Sequence, residues 1–264
     1  METTIHSGAE VILFDALYEE QMAGIGKLID YYSRDKPLFS VGSSGIEMAL
    51  GNHWTKEGYL RPPQAWANPG KAEPLLVVSG SCSPVTSGQI SWALGQGFAE
   101  VVLDTEAITA NQSAPVIKSH AAEALTAISR GRSVIVHTGC NKKDENVENK
   151  KISGSSGDNV IIQTQTSQIF GTALGQIAKA AAGQTSLKRI VIAGGDTSSF
   201  AARAMGIEAV EMIAPLSPGA PLCKAYAPGS PVDGLEVNFK GGQVGSEDYF
   251  GMVLEGKQPV IKPA

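Results

Sequence analysis

The sequence has few cysteines and no pattern that would place them around a metal. Only three of its 264 residues are cysteine, at positions 82, 140 and 223. They form no Cys-x-x-Cys pair, and no histidine stands at zinc-site spacing from them. We therefore expect reduced thiols, and neither a disulfide framework nor a metal site.

The sequence also lacks a basic excess and a long hydrophobic run. The formal net charge is −5, and acidic residues interrupt the one lysine cluster, between positions 142 and 151. Binding to a phosphate backbone needs a basic surface, so we expect no nucleic-acid partner. The first ten residues lack the features of a signal peptide, and no apolar run is long enough to cross a bilayer. These features predict a cytoplasmic protein with no membrane partner.

From Leu75 onward, short apolar and β-branched runs alternate with helical patterns. Such runs are typical of buried parallel strands. The predicted strands are Leu75–Ser79, Val101–Leu103, Val134–Val136, Ile190–Ala193 and Val210–Ile213, and the predicted helices are Thr86–Leu94, Ala114–Ile128 and Ser167–Ala182. The alternation predicts an α/β fold with three αβα layers, in which a mostly parallel sheet carries helices on both faces.

The N-terminal part shows the same alternation twice. Val11–Phe14 reads as a short strand before a helix at 19–32, and Phe39–Val41 precedes a second helical pattern. Residues 56–74 are rich in proline and polar residues and have neither period, which indicates a linker.

Three loops containing glycine or serine stand where an α/β sheet places its ligands, beyond the carboxyl ends of strands. Backbone amides and hydroxyls in such loops can hold a phosphate. The residues singled out are Ser81 and Ser83 in the first loop, Gly194, Gly195, Asp196 and Thr197 in the second, and Gly242 and Gly245 in the third. Each loop also has a purely structural interpretation, since Ser83 and Asp196 are ordinary helix caps and the third loop is compatible with a simple turn.

Other catalytic patterns are missing. The sequence contains no Gly-x-x-x-x-Gly-Lys-Ser/Thr phosphate loop, no complete dinucleotide fingerprint and no Gly-x-Ser-x-Gly elbow. His137 follows a predicted strand but has no carboxylate partner visible in the sequence, which favours a structural role.

Taken in order, the loops resemble the sequence blocks of the four-carbon acid sugar kinase family. The matching blocks are VVSGSCSPVT at 77–86, AGGDTSS at 193–199, PGAP at 218–221 and NFKGGQVGSEDYF at 238–250. The resemblance implies that residues 75–264 form a nucleotide-binding domain and residues 1–55 are a remnant of the N-terminal, acid-sugar-binding α/β domain. It further implies ATP and Mg²⁺ as cofactors, with the eight loop residues around ATP.

One block of that family is absent here. Its N-terminal half carries Asp-Asp-x-Thr-Gly, whereas this sequence has no Asp-Asp pair. The resemblance therefore implies an ATP-binding domain that is incomplete alone, with an unidentified catalytic base. An acid sugar would bind only with a complementary domain, which is either a separate N-terminal-domain partner or another protomer of a homo-oligomer. The alternative is a non-catalytic nucleotide-binding protein or a type III effector-like interaction protein.

Overall fold

The computed structural model divides the chain into two compact units, Met1–Ala65 and Trp66–Ala264. It describes residues 2–42, 44–61, 66–109, 113–139 and 156–257. Within these ranges, no helix is both long and apolar enough to cross a membrane.

The first unit contains three helices, α1 (Glu2–His6), α2 (Glu20–Ser33) and α3 (Gly45–Lys56). Helices α2 and α3 pack closely at Gly26, where a Cβ atom would overlap the backbone of Ala49. Asp30 on α2 joins the pair by accepting a hydrogen bond from Trp54 Nε1 at 2.9 Å and lying 3.4 Å from His53 Nε2. The helical pair is therefore held by both close packing and a polar cluster.

The strand prediction in the first unit was wrong. Val11–Phe14 and Phe39–Val41 adopt no regular secondary structure. Val11 is 87%, Leu13 91%, Phe39 90% and Val41 84% exposed. A strand needs a neighbour to complete its hydrogen-bond ladder, and the described part of this unit contains no other strand. The apolar pattern is present, but the described residues of this unit supply no strand to pair with it.

The second unit alternates strands with helices. Its strands are β1 (Leu76–Ser79), β2 (Ala99–Val102), β3 (Val134–His137), β4 (Arg189–Ala193), β5 (Ala209–Ala214), β6 (Leu222–Tyr226) and β7 (Glu236–Lys240). Its helices are α4 (Pro84–Gly95), α5 (Thr105–Ala107), α6 (Ser113–Ser129), α7 (Ser156–Ala182), α8 (Gly195–Met205) and α9 (Tyr249–Glu255).

The strands form one sheet in the order β2-β3-β1-β4-β7-β6-β5. Neighbours from β2 to β7 are parallel, whereas β6 pairs antiparallel with both β7 and β5. The expectation that 210–213 form a buried parallel strand was wrong, because β5 lies at the antiparallel edge and exposes Val210 and Met212. An edge strand has a neighbouring strand on only one side, so more of it is exposed.

Helices cover both faces of the sheet. Leu76 and Val78 face one core, which includes Ala124 of α6, Ile177 of α7 and Met205 of α8. Leu75 and Val77 face the other core, with residues of α4 and α9. Successive strand side chains point to opposite faces, so one strand supplies both cores. The predicted α/β fold, with three layers and a mostly parallel sheet, is confirmed.

An arginine fastens the amino end of β4. Arg189 is fully buried, and its guanidinium pairs with Glu236 at 2.6 Å. It also donates hydrogen bonds to the carbonyl oxygens of Val253, Leu254 and Gly70, the last at 3.1 Å. One side chain thus joins β4, β7, α9 and the segment before β1, at the end of β4 opposite to the three glycine-containing loops.

Candidate functional site

Three loops leave neighbouring strands at the same level of the sheet. Ser79 of β1 pairs with Ala193 of β4, which pairs with Lys240 of β7. The ladder continues one step beyond the strands, because Gly80 N donates to Ala193 O at 3.1 Å and Gly194 N donates to Lys240 O at 2.8 Å. The loops predicted from the sequence therefore begin side by side at the carboxyl edge.

The first loop leads into α4 through a serine cap. Ser83 Oγ accepts a hydrogen bond from Thr86 N at 3.1 Å, and Pro84 occupies the first turn. The structural interpretation of Ser83 is therefore observed. The same hydroxyl also contacts Gly242 O, which ties the first loop to the third.

Glycines allow the loops to touch one another. A Cβ at Gly80 would overlap the Thr197 side chain. At Gly194, where φ is +124°, a Cβ would lie 3.0 Å from Thr197 Oγ1, and at Gly242 it would lie 2.7 Å from Ser81 Oγ. These close approaches unite Ser81, Ser83, Gly194, Thr197 and Gly242 of the predicted set.

The remaining predicted residues lie further out. Gly195 and Asp196 are exposed in the first turn of α8. Gly245 has a φ of +90°, and a Cβ there would overlap the Tyr249 ring, so its need for glycine is explained by the turn before α9. The structure does not place Gly245 against the other two loops.

Several backbone amides at this edge have no acceptor among the described residues. They are the N–H groups of Gly195, Asp196 and Thr197 at the start of α8, and those of Gly242 and Gln243 in the third loop. The first turn of a helix leaves its amides unpaired and carries partial positive charge. This edge can therefore accept an anion.

A buried lysine, which sequence reasoning missed, lies beneath the third loop. Lys240 is 1% exposed, and its ammonium donates to Thr86 Oγ1 and Gly241 O, both at 2.9 Å. Gly242 O lies 3.5 Å from the same ammonium. Burial lowers the pKa of Lys240 to about 8. The sequence shows a lysine directly before paired glycines, but it does not show that this lysine is buried.

Gln89 and Asn238 fix the surroundings of the third loop and were also missed. Gln89 Nε2 donates to Val244 O at 3.0 Å and Ser246 O at 2.8 Å, while its buried Oε1 has no partner among the described residues. Asn238 Nδ2 donates to Ala220 O at 2.9 Å, and its Oδ1 accepts from the Tyr249 hydroxyl at 2.9 Å. The PGAP block is thereby joined to β7 and α9.

His137 has the carboxylate partner that the sequence did not reveal. Its Nε2 lies 3.0 Å from Glu100 Oε1, and its Nδ1 accepts from Gly139 N at 3.1 Å. The second contact assigns the proton to Nε2 in the neutral ring. The pair forms because β2 and β3 are adjacent in the sheet, although the residues are 37 positions apart.

The described side chains do not form a ready-made metal cage. No group of three or more His, Cys, Asp or Glu residues within the described ranges is arranged to hold an ion. The described polar groups at this edge include backbone amides, hydroxyls and one buried ammonium, which suit an anionic ligand.

Comparison with known families identifies a match over most of the second unit. Residues 76–250 match the family described as the nucleotide-binding C-terminal domain. The matched range spans β1 to the start of α9 and includes all three loops.

Curated relatives have names that describe sugar-acid kinases. The chain is 37% identical over 249 residues to a 3-oxo-isoapionate kinase of Paraburkholderia graminis, covering 94% of this chain and 52% of the relative. It is 26% identical to a D-threonate kinase of Salmonella typhimurium, covering 91% and 52%. The chain thus spans about half the length of these relatives.

Solved structures share the fold. A Haemophilus influenzae protein from a family of unknown function aligns with a TM-score of 0.62 at 19% identity, over 95% of this chain and 54% of that one. A Salmonella typhimurium LT2 protein aligns with a TM-score of 0.66 at 20% identity, over 97% and 55%. These matches support the α/β architecture described above.

Proposed function

Because the chain belongs to the four-carbon acid sugar kinase family and contains its nucleotide-binding C-terminal domain, we propose that it forms the ATP-binding half of such a kinase. The observation that carries this proposal is the meeting of three loops at one edge of the sheet, with unpaired amides in two of them. In phosphoryl transfer, the protein mainly positions the phosphates and stabilises their charge. This edge offers the donors for both tasks.

The ATP phosphates would be held by amides and hydroxyls. The amides are those of Gly195, Asp196, Thr197, Gly242 and Gln243, and the nearby hydroxyls belong to Ser81 and Ser83. Mg²⁺, which neutralises phosphate charge when bound, would arrive with ATP and keep phosphate oxygens and water as its main ligands. No cage of protein carboxylates is needed for that mode of binding.

The acid sugar and the catalytic base would come from a complementary domain. The proposed reaction transfers the γ-phosphoryl group of ATP to a hydroxyl of a tetronate-type sugar acid, and the hydroxyl loses its proton to a base. In this proposal, residues 1–55 are the remnant of the substrate domain, residues 56–74 the linker and residues 75–264 the nucleotide-binding domain. The complementary domain is a separate cytoplasmic chain or another protomer.

Nucleotide binding is the first test. Isothermal titration calorimetry of the folded chain with ATP and Mg²⁺ should give saturable binding, with GTP and NAD binding more weakly. Gly242→Val should weaken ATP binding by about tenfold or more, about 1.4 kcal/mol, since its side chain would collide with Ser81 and Ser83.

Gly88→Ala is the matched control for this test. Gly88 lies in α4, close in sequence to the first loop, but a Cβ there meets nothing within 4 Å. Its ATP affinity should equal that of the wild type. Equal affinity in the folded Gly242→Val variant would contradict the placement of ATP at this edge, and the absence of ATP binding by the folded wild-type chain would contradict the nucleotide-binding role.

A further inference from the structure

Lys240 is a buried cation without an anionic partner among the described residues. Its three hydrogen-bond acceptors are a hydroxyl and two carbonyl groups, all neutral. No carboxylate of the described chain lies within ion-pair distance of it. An uncompensated buried charge is unfavourable for the fold, so its presence beside a candidate site indicates a role in binding.

The lysine also determines which way the third loop faces. The carbonyl groups of Gly241 and Gly242 point toward the ammonium, and Ser83 and Thr86 hydroxyls donate to Gly242 O as well. In a trans peptide, the C=O and the following N–H point in opposite directions. The N–H groups of Gly242 and Gln243 must therefore point away from Lys240, and these are the amides without an acceptor.

We propose that Lys240 is a positioning residue for the nucleotide phosphates, which acts through the third loop and through its charge without touching the nucleotide. Its ammonium holds two carbonyls inward so that two amides face outward as an anion-binding concavity. Its charge then lies behind those amides and adds to the positive potential at the start of α8. This inference rests on the proposed function.

No described neighbour of Lys240 carries a charge that compensates its ammonium, so a bound anion can change its pKa. Helix α4 presents the neutral Thr86, and α9 presents the ring of Tyr249, whose centroid is 5.7 Å from the ammonium. Burial raises the pKa of Tyr249 to about 12, so this ring stays neutral up to pH 10. Asp196, Glu247 and Asp248 lie on the exposed sides of the adjoining loops and form no ion pair with Lys240.

Proton linkage provides a readout that a purely structural role would not change. Without a nucleotide, burial holds the pKa of Lys240 at about 8. Bound phosphates favour the ammonium and should raise that pKa. Between the two pKa values, ATP binding must take up a proton, and affinity should fall by up to about tenfold per pH unit as pH rises. Below pH 7 the lysine is charged in both states and contributes no such dependence.

The experiment is calorimetry of ATP binding from pH 7 to 10 in buffers of different ionisation enthalpy. Lysine ¹³Cε NMR of the same samples reports the titration of Lys240 directly. Cysteine thiols also titrate in this range, so the lysine NMR titration is needed to assign the proton uptake to Lys240. The wild-type side chain should show proton uptake at pH 9 and a rise of its NMR titration midpoint on adding ATP.

Two variants separate the possible outcomes. Lys240→Met should bind ATP roughly tenfold more weakly at pH 7 and lose the proton uptake. Lys188→Met, an exposed change directly before β4, should alter neither the ATP affinity nor the proton uptake. ATP binding with no proton uptake, or an unchanged pH profile in Lys240→Met, would overturn this inference while leaving the nucleotide site intact. If the folded wild type binds no ATP, the proposed function fails and this inference fails with it.

Discussion

Thr197 shows how single residues assemble the candidate site. Its side chain fills the space left by the missing Cβ atoms of Gly80 and Gly194. The threonine is 5% exposed, so its main contacts are with the two loops rather than with solvent. Glycine at these positions is explained by the close approach between the loops. The sequence showed the glycines but could not show what faced them.

At the opposite edge, one arginine is expected to carry a large share of local stability. Arg189→Met would leave the mostly buried Glu236 carboxylate with the longer Lys188 contact, at 3.4 Å, in place of the short guanidinium pair, and several carbonyl groups without a donor. Breaking a buried pair on one side costs about 3–5 kcal/mol. Urea unfolding should show that the free energy of unfolding falls by that amount. Arg130→Met, an exposed change, should alter the free energy of unfolding by less than about 0.5 kcal/mol.

An electrostatic prediction concerns Asp30 in the first unit. Hydrogen bonds from Trp54 and Arg34, with a smaller one from His53, lower the pKa of Asp30 to about 2. Because the folded pKa lies below the ordinary value near 4, the carboxylate stabilises the fold above that value, and this stabilisation is lost as pH falls from about 4 to 2.

The Asp30 titration can be followed by ¹³Cγ NMR of the aspartates, with its midpoint expected near pH 2. Asp30→Asn should lower the melting temperature at pH 7 and flatten its dependence on pH between 4 and 2. An Asp30 midpoint near 4 would contradict the role assigned to the Trp54 hydrogen bond.

At the level of elements, apolar and β-branched strands were predictable, including the edge strands β2 and β5, whereas the interior strands β6 and β7 were missed. β1, β3 and β4 are continuous apolar runs because helices cover both sides. β7 was missed since its inward residues include Asn238 and Lys240, which hydropathy assigns to the surface. β6 alternates buried and exposed residues in the short segment LCKAY, too weak a pattern to separate from a loop.

The candidate site also had features that the sequence could predict and features that it could not. The first two loops could be placed from the sequence because they follow predicted strands, and parallel strands bring their carboxyl ends to one edge. The third loop was singled out by its glycines, although the strand before it was missed. The contacts that organise those loops could not be placed. Thr86 and Lys240 are 154 positions apart, and Gln89 and Val244 are 155 apart. No local period relates residues at such separations.

Considered as a whole, the chain carries apolar segments that its own described fold does not cover. Val11, Leu13, Phe39 and Val41 are each more than four-fifths exposed, while the chain spans about half of its relatives. Apolar segments that lack regular secondary structure and lie next to helices would suit pairing with the edge of a sheet in the proposed complementary domain. This is the physical basis for the proposed second half.

Co-expression tests this expectation. A family substrate domain containing Asp-Asp-x-Thr-Gly, produced as a separate chain, should co-purify with the wild type and confer phosphorylation of a tetronate. Leu13→Asp combined with Phe39→Asp should abolish co-purification while ATP binding persists. The control is Val210→Asp with Met212→Asp, on the exposed edge strand β5, which should leave co-purification intact. Unchanged association in the first double variant would contradict the assigned surface.

The extension of the ladder into the loops has a kinetic consequence. Gly80 and Gly194 are held by hydrogen bonds to Ala193 and Lys240, so the turns are ordered by the same interactions that order the sheet. A preorganised receptor loses little conformational entropy on binding. Nucleotide association should therefore follow a single exponential whose rate rises linearly with ATP concentration, without the plateau that a slow loop rearrangement would impose.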